Sequence, residues 1–357
     1  MITFCKLYRL WLIVVLLGFT LPMQAAEQPE YSTAGFFELP HTGRTAYSMN
    51  PAWRFYKGNI QGAEQPDFDD RNWQLVSLPN GMEYLPSEAS GCVNYQGGAW
   101  YRKHFTPSDD WKDKQLFLHF EAIMGKSKIW INGTLIKEHF GGYLPVVADA
   151  TGLLKFGEDN VIAVWADNSD DPAYPPGKPQ EMLDFAYFGG IYRDCWMVVH
   201  NRVFITDPNY EDVPAGGGLF VSYNHVSETS AEIGLDLHVR NQSRKNFSGR
   251  IVFQLYDREG HLVQSAQKKL SVARGKARQT HTSMQVSEPN LWDPDSPYLY
   301  QLHVLIQDKD GQTIDGYRRR IGIRSIEFKG KDGFWLNGKP YPYPLIGANR
   351  HQDFAVV

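Results

Sequence analysis

Cysteine is nearly missing from this chain of 357 residues, which holds only Cys5, Cys92 and Cys195. Export would allow a disulfide between Cys92 and Cys195, but two cysteines in so long a chain do not make a framework, and two free, packed thiols are the expected state. Strong charge of one sign is missing too: a formal net charge of -4 argues against a nucleic-acid partner and leaves other partners open. Long apolar runs are missing beyond Leu10 to Phe19, roughly ten residues where a membrane span needs about twenty. Lys6 and Arg9 precede this run and Leu21-Pro22-Met23-Gln24-Ala25-Ala26 follows it. Residues 1–26 therefore read as a signal peptide, removed on export to the periplasm or the extracellular space with no membrane attachment afterwards, in preference to a retained N-terminal anchor, since no stop-transfer pattern follows. Cys5 lies ahead of the run, where it cannot be the lipid-bearing cysteine of a lipoprotein.

Long helical periodicity is also absent. What the chain has instead is glycine, proline and aromatic residues in quantity, the marks of an all-β protein with many turns, long enough for two or three domains. Gln115 to Phe120, Lys128 to Ile131, Asn160 to Trp165 and Cys195 to Val199 are apolar runs. Asn132-Gly133 before Thr134-Leu135-Ile136 is a hairpin signal, because both turn residues tolerate positive φ. Residues 27–200 thus predict a jelly-roll sandwich, in which Trp100, Trp130, Trp165 and Trp196 are expected in the core. Between Asn168 and Gln180 the proline-rich stretch fits neither strand nor helix and reads as an ordered loop at a site rim.

Residues 201–325 predict a second sandwich. Glu232 to Val239 alternates with period two, and Asp257-Arg258-Glu259-Gly260 and Asp308-Lys309-Asp310-Gly311 each divide two apolar runs. About seven short strands fit an immunoglobulin-like unit without its disulfide, acting as a rigid spacer. Residues 326–357 change character: Phe334 to Tyr341 reads as a hairpin and Pro344 to Asp353 as a strand with a polar end. Nothing after that strand would bury it, so the chain reads as a piece of a longer protein or as one covered by a partner.

The stretch with most chemistry is Asp184-Phe185-Ala186-Tyr187-Phe188-Gly189-Gly190-Ile191-Tyr192-Arg193-Asp194. Aromatic faces beside a carboxylate suit a pyranose and its hydroxyls. The other reading is a plug at the end of a sandwich, with Arg193 and Asp194 as structural partners. Tyr187 and Phe188 fit either.

Four segments in order resemble the amino-terminal half of glycoside hydrolase family two, which includes β-galactosidases and β-glucuronidases. They are Gly98-Ala99-Trp100-Tyr101-Arg102-Lys103-His104-Phe105, Gly189 to Asp194, Asn290-Leu291-Trp292-Asp293-Pro294-Asp295-Ser296-Pro297-Tyr298-Leu299-Tyr300, and Gly347-Ala348-Asn349-Arg350-His351. The resemblance implies a sugar-binding jelly roll, an immunoglobulin-like sandwich and the first strand of a truncated (β/α)₈ barrel. It implies substrate contacts from Asp184, His351 and Asn94, with Asp184 also a sodium ligand, and Mg²⁺ and Na⁺ as the family's ions. It further implies hydrolysis of non-reducing-end β-galactosides, and a full-length enzyme able to form a homo-oligomer.

A retaining glycosidase needs two carboxyl groups roughly 5–5.5 Å apart. In the family both are glutamates on later barrel strands, and no position here matches either; Glu181 and Asp184 are a poor substitute. The catalytic set is therefore expected outside this chain, which alone should be inactive. Ile346 stands where the family often has arginine, and Gln352-Asp353 replace acidic or histidine residues. The alternatives are a stand-alone carbohydrate-binding module, or a β-glucuronidase or β-mannosidase of the same family.

Overall fold

The computed structural model describes residues 39, 41–83, 95–183, 188–213 and 216–348. The first unit runs through β1 (Thr45–Ser48), β2 (Trp53–Lys57), β3 (Gln74–Val76), β4 (Asn80–Gly81), β5 (Gly98–Phe105) and β6 (Gln115–Phe120). It continues with β7 (Lys126–Ile131), β8 (Thr134–Phe140), β9 (Val146–Asp149), β10 (Asn160–Asp167), β11 (Gly190–Ile191) and β12 (Cys195–His200). One sheet has the order β3-β2-β5-β10-β7-β8, a second β1-β12-β6-β9, and β4 pairs with β11 as a separate ribbon. Alternate residues of both large sheets meet between them: Ile162 and Val164 from one, Leu116, Leu118 and Met197 from the other. Each such side chain, fully buried, contributes about 1.5–3 kcal/mol. The turn between β7 and β8 is Asn132-Gly133, at φ 49° and 81°, the pair of positive angles that a two-residue hairpin demands.

The second unit comprises β13 (Val203–Ile205), β14 (Leu219–Asn224), β15 (Ser230–Asn241), β16 (Phe247–Tyr256), β17 (Leu262–Val272), β18 (Ala277–Ser287), β19 (Tyr300–Asp308) and β20 (Thr313–Ile321). Here β13, β14 and β18 each pair with β15, and a second sheet has the order β17-β16-β19-β20. The alternation in β15 buries Ala231, Ile233, Leu235, Leu237 and Val239 on one face. Tyr300 Oη accepts from the Asn290 N–H at 2.8 Å, the kind of tie that closes a sandwich corner. The fold class is thus all-β, with two sandwiches in series, as the sequence implies.

A short sheet follows: β21 (Ile326–Phe328), β22 (Phe334–Leu336) and β23 (Lys339–Pro340), with Asn337-Gly338 as its turn at φ 53° and 73°. The tryptophan of the third motif anchors it, since Trp292 O accepts from Asn337 Nδ2 at 3.1 Å and the Arg324 guanidinium lies 4.9 Å from the Trp292 ring. Beyond it the strand expected from Pro344 is not formed over the described residues 344–348. Leu345 and Ile346 are 60 % and 88 % exposed; a strand is stabilised by its neighbours, and no described strand pairs with this segment.

Two tryptophans also differ from expectation. Trp100 and Trp196 are buried, whereas Trp130 and Trp165 are half-buried on the outer face of the six-stranded sheet, beside Phe68 and Trp73. Side chains alternate between faces, and Trp100 shares this outer face with them; the loop carrying Phe68 and Trp73 packs over Trp100, which is buried, while Trp130 and Trp165 stay partly exposed. Cys195 is a free, buried thiol, and burial pushes its pKa up; Cys92 lies outside the described residues.

The sandwiches are joined by a charge pair. Arg44 donates to both carboxylate oxygens of Asp315, at 2.9 and 2.8 Å, and to Ile205 O at 2.7 Å. The Ile205 N–H in turn donates to Asp315 at 2.7 Å. We predict that Asp315→Ala, which strands Arg44, costs about 3–5 kcal/mol in chemical denaturation; a loss under about 1 kcal/mol would show that the junction does not rest on this pair. Nearby, His200 is packed against Phe117 and Phe204. Burial, reinforced by Arg44, depresses its pKa to about 3. Because the unfolded chain takes up this proton near pH 6.5 and the folded chain does not, stability falls as pH drops below 6.5. The expected loss at pH 5 is about 2 kcal/mol, and His200→Gln should flatten that slope; equal acid slopes in both proteins would refute the assignment.

Candidate functional site

One end of the first sandwich is set by the glycine pair of the second motif. Gly190 sits at φ 111°, a conformation that favours glycine, and pairs with Gly81 in the β4–β11 ribbon. Its carbonyl accepts from the Met124 N–H at 3.0 Å, and the Gly189 carbonyl from the Met82 N–H at 2.9 Å. A methyl group at Gly190 would stand 2.4 Å from Tyr101 Oη and 2.7 Å from Asn80 O. Tyr101 Oη itself donates to Asn80 O at 3.2 Å. The first and second motifs, distant in sequence, therefore touch here.

The chain segments that leave this junction are pinned at their roots. Glu83 Oε2 accepts from the Tyr95 N–H at 2.8 Å, and Glu83 Oε1 from Lys57 Nζ at 3.0 Å. Burial pushes the Glu83 carboxyl up, but the bonds from Lys57 and Tyr95 outweigh this and hold it below the usual range. Asn168 clamps the same strand start, donating to Tyr95 O at 2.7 Å and accepting from the Gly97 N–H at 3.0 Å.

From Asn168 the proline-rich loop runs on as an ordered rim. Asp170 Oδ1 accepts from Gln96 Nε2 at 2.6 Å and from the Gln180 N–H at 3.0 Å. Asp171 accepts from the Ala173 N–H at 2.8 Å and pairs with Lys126 at 2.7 Å. The loop ends in a 3₁₀ turn over Gln180–Met182.

The residues singled out in sequence, Asp184, Asn94 and His351, lie outside the described residues, as do Tyr187 and Arg350. Their attachment points are described: residues 84–94 connect Glu83 to Tyr95, and residues 184–187 lead into Phe188, next to Gly189. Phe188 is 5 % exposed, so it is a plug and its ring is not free to stack on a ligand. Arg193 and Asp194 are not partners of each other. Arg193 reaches towards Glu121 at 3.8 Å, while Asp194 accepts from Asn50 Nδ2 at 2.8 Å and Asn50 Oδ1 from the Cys195 N–H at 2.9 Å. Neighbouring residues on an extended chain point to opposite sides, so each finds its own partner.

Sequence reading missed Asn168 and Asn50, because an asparagine that clamps distant backbone leaves no local pattern. Among the described residues no group of three or more histidine, cysteine, aspartate or glutamate side chains is placed to hold a metal ion.

Two family models match this architecture. That for the sugar binding domain of glycosyl hydrolases family 2 covers residues 67–201, and that for glycosyl hydrolases family 2 covers residues 218–324. The chain belongs to glycosyl hydrolases family 2. A β-galactosidase of Thermoanaerobacter pseudethanolicus is 30% identical over 316 residues, covering 88% of this chain and 40% of that protein. A β-glucuronidase of Formosa agariphila is 30% identical over 307 residues, covering 83% and 31%. The crystal structure of a Bacteroides uniformis β-glucuronidase superposes with a TM-score of 0.74 at 30% identity, covering 84% of this chain and 34% of that one. The family 2 chain thus spans well under half the length of these relatives.

In this family 2 sandwich, Gly190→Ala should cost at least about 2 kcal/mol, since the methyl meets both a left-handed angle and a backbone oxygen. Thermal denaturation checks this; an unchanged melting temperature would mean that the junction yields.

Proposed function

We propose that this chain supplies the sugar-side wall and scaffold of an exported retaining glycoside hydrolase acting on non-reducing-end β-galactosides. The observation that carries this reading is the Gly189-Gly190 junction, where the roots of the segments bearing Asn94 and Asp184 meet at one end of a sugar binding domain. In this role the Asp184 carboxylate accepts hydrogen bonds from sugar hydroxyls, the Asn94 amide accepts and donates, and His351 closes the far side. The nucleophilic carboxylate and the acid/base carboxyl come from a part of the enzyme beyond this sequence. The first attacks the anomeric carbon as the second protonates the departing oxygen, and water then releases the sugar.

A β-glucuronidase is the second reading, favoured by the relatives that carry that name. A uronic acid needs a free cation for its carboxylate. Beside the junction Lys57 and Lys126 are held by Glu83 and Asp171, so under this second reading the cation would come from elsewhere in the enzyme. Under the first reading the enzyme containing this chain should turn over an aryl β-galactoside with higher kcat/KM than the matching β-glucuronide, and the reverse order would replace that reading by the second. Asp184→Ala should lower kcat/KM by about ten- to a hundredfold, the scale of lost hydrogen bonds to a charged acceptor; an unaltered value would remove Asp184 from the site.

A further inference from the structure

The six-stranded sheet turns its second face away from the core, and that face is aromatic. Trp100 and Trp130 stand 5.4 Å apart on it, with Ala63, Phe68 and Trp73 of the preceding loop packed alongside. Beyond this cover the face is open. Trp165 of β10, Phe140 of the edge strand β8 and Tyr174 of the proline-rich loop line a groove of about 600 Å³, within the roughly 300–1,000 Å³ of small-molecule sites.

The groove presents rings more than their polar ends. Phe140 is 62 % exposed and its ring lies 6.2 Å from that of Tyr174. Trp165 Nε1 donates to Asn59 Oδ1 at 2.8 Å, and the Tyr174 hydroxyl is sealed from solvent. Along the margin Lys126 pairs with Asp171 and Lys128 with Glu138, each at 2.7 Å. Donors and acceptors thus border the rings with no excess of either charge.

We propose that this groove binds a neutral glycan chain, with pyranose faces on Trp165 and Phe140 and hydroxyls against the two ion pairs. A pyranose has an apolar C–H face and a polar edge, which is the pattern the groove offers. An anion would meet Asp171 and Glu138, and a wholly apolar ligand would strip water from both ion pairs without replacing its hydrogen bonds. The walls are set before binding, because Asp171 is fixed by Ala173 N–H and Lys126 lies 6.0 Å from the Tyr174 ring; a preordered site loses less entropy on binding. The inference goes beyond the proposed hydrolysis and does not depend on it, since retention on a glycan and turnover of a glycoside are measured separately.

Native gels containing soluble β-1,4-galactan, and in parallel hydroxyethylcellulose, test this with the full chain. The wild-type protein should be retarded by at least one of them. Phe140→Ala, an exposed edge-strand change with little risk to folding, and Trp165→Ala should each weaken retardation about tenfold or more, the scale of losing an aromatic anchor. Asp184→Ala should leave retardation intact. No retardation on either polymer, or retardation lost in Asp184→Ala and kept in Phe140→Ala, would overturn the groove as a glycan site.

Discussion

The close approach of the Gly190 backbone to Tyr101 and Asn80 sets the geometry at the working end of the first sandwich. No side chain fits between these groups, so β11 can lie against β4, and Met82 and Met124 can both bond to the glycine carbonyls. That arrangement brings together the roots of segments that are far apart in the chain. The loop from Asn168 is then tied to the same place through Tyr95 and Gly97. A rigid frame of this kind is what allows binding groups to sit on loops without losing their positions.

Buried charge organises the rest of that sandwich. The Arg102 guanidinium is fully buried; Nε donates to Asp70 at 2.7 Å and Nη1 to Gln65 O at 2.9 Å. Asp70 also meets His104 at 3.0 Å. Burial pushes the Asp70 carboxyl up, yet the bonds from His104 and Arg102 hold it below the usual range. Apolar residues of equal volume often give similar stability to such a pair, so its consequence is better sought in position. By gripping the carbonyls of Ala63 and Gln65, Arg102 lays the preceding loop across the outer face of the sheet. Phe68 and Trp73 then pack against Trp100, and the Trp165 side of the face borders the groove.

Local chemistry was legible in the sequence where one backbone requirement dominates. Asn132-Gly133 and Asn337-Gly338 form the expected tight turns because each needs two positive φ angles in succession, and β15 is buried on alternate residues as its pattern requires. Partners across long distances were not legible. Alternation within a strand did not tell which face the other sheet covers, so Trp130 and Trp165 were expected in the core and lie on the outer face. Arg193 and Asp194, adjacent in sequence, diverge to Glu121 and Asn50. At the candidate site the glycine pair was visible from its motif, while its reason, the Tyr101 hydroxyl and the Asn80 carbonyl, exists only once β4 and β5 are folded.

Rigidity at the junction bears directly on the proposed chemistry. Groups on the first sandwich would hold hydroxyls that do not react, and their binding energy accelerates hydrolysis only by placing the anomeric carbon against the carboxylates. Placement is demanding, because a displacement of about 1 Å can cost about a hundredfold in rate. A loop carried on a flexible hinge would lose that energy to its own ordering. With Glu83, Tyr95 and Asn168 bonded to one another or to adjacent backbone, the frame around the sugar-side segments is ordered before any sugar arrives. The same frame explains why this end is built from glycine, tyrosine and asparagine as much as from charge: they fix where the chain runs, and the proposed carboxylate would act from that fixed base.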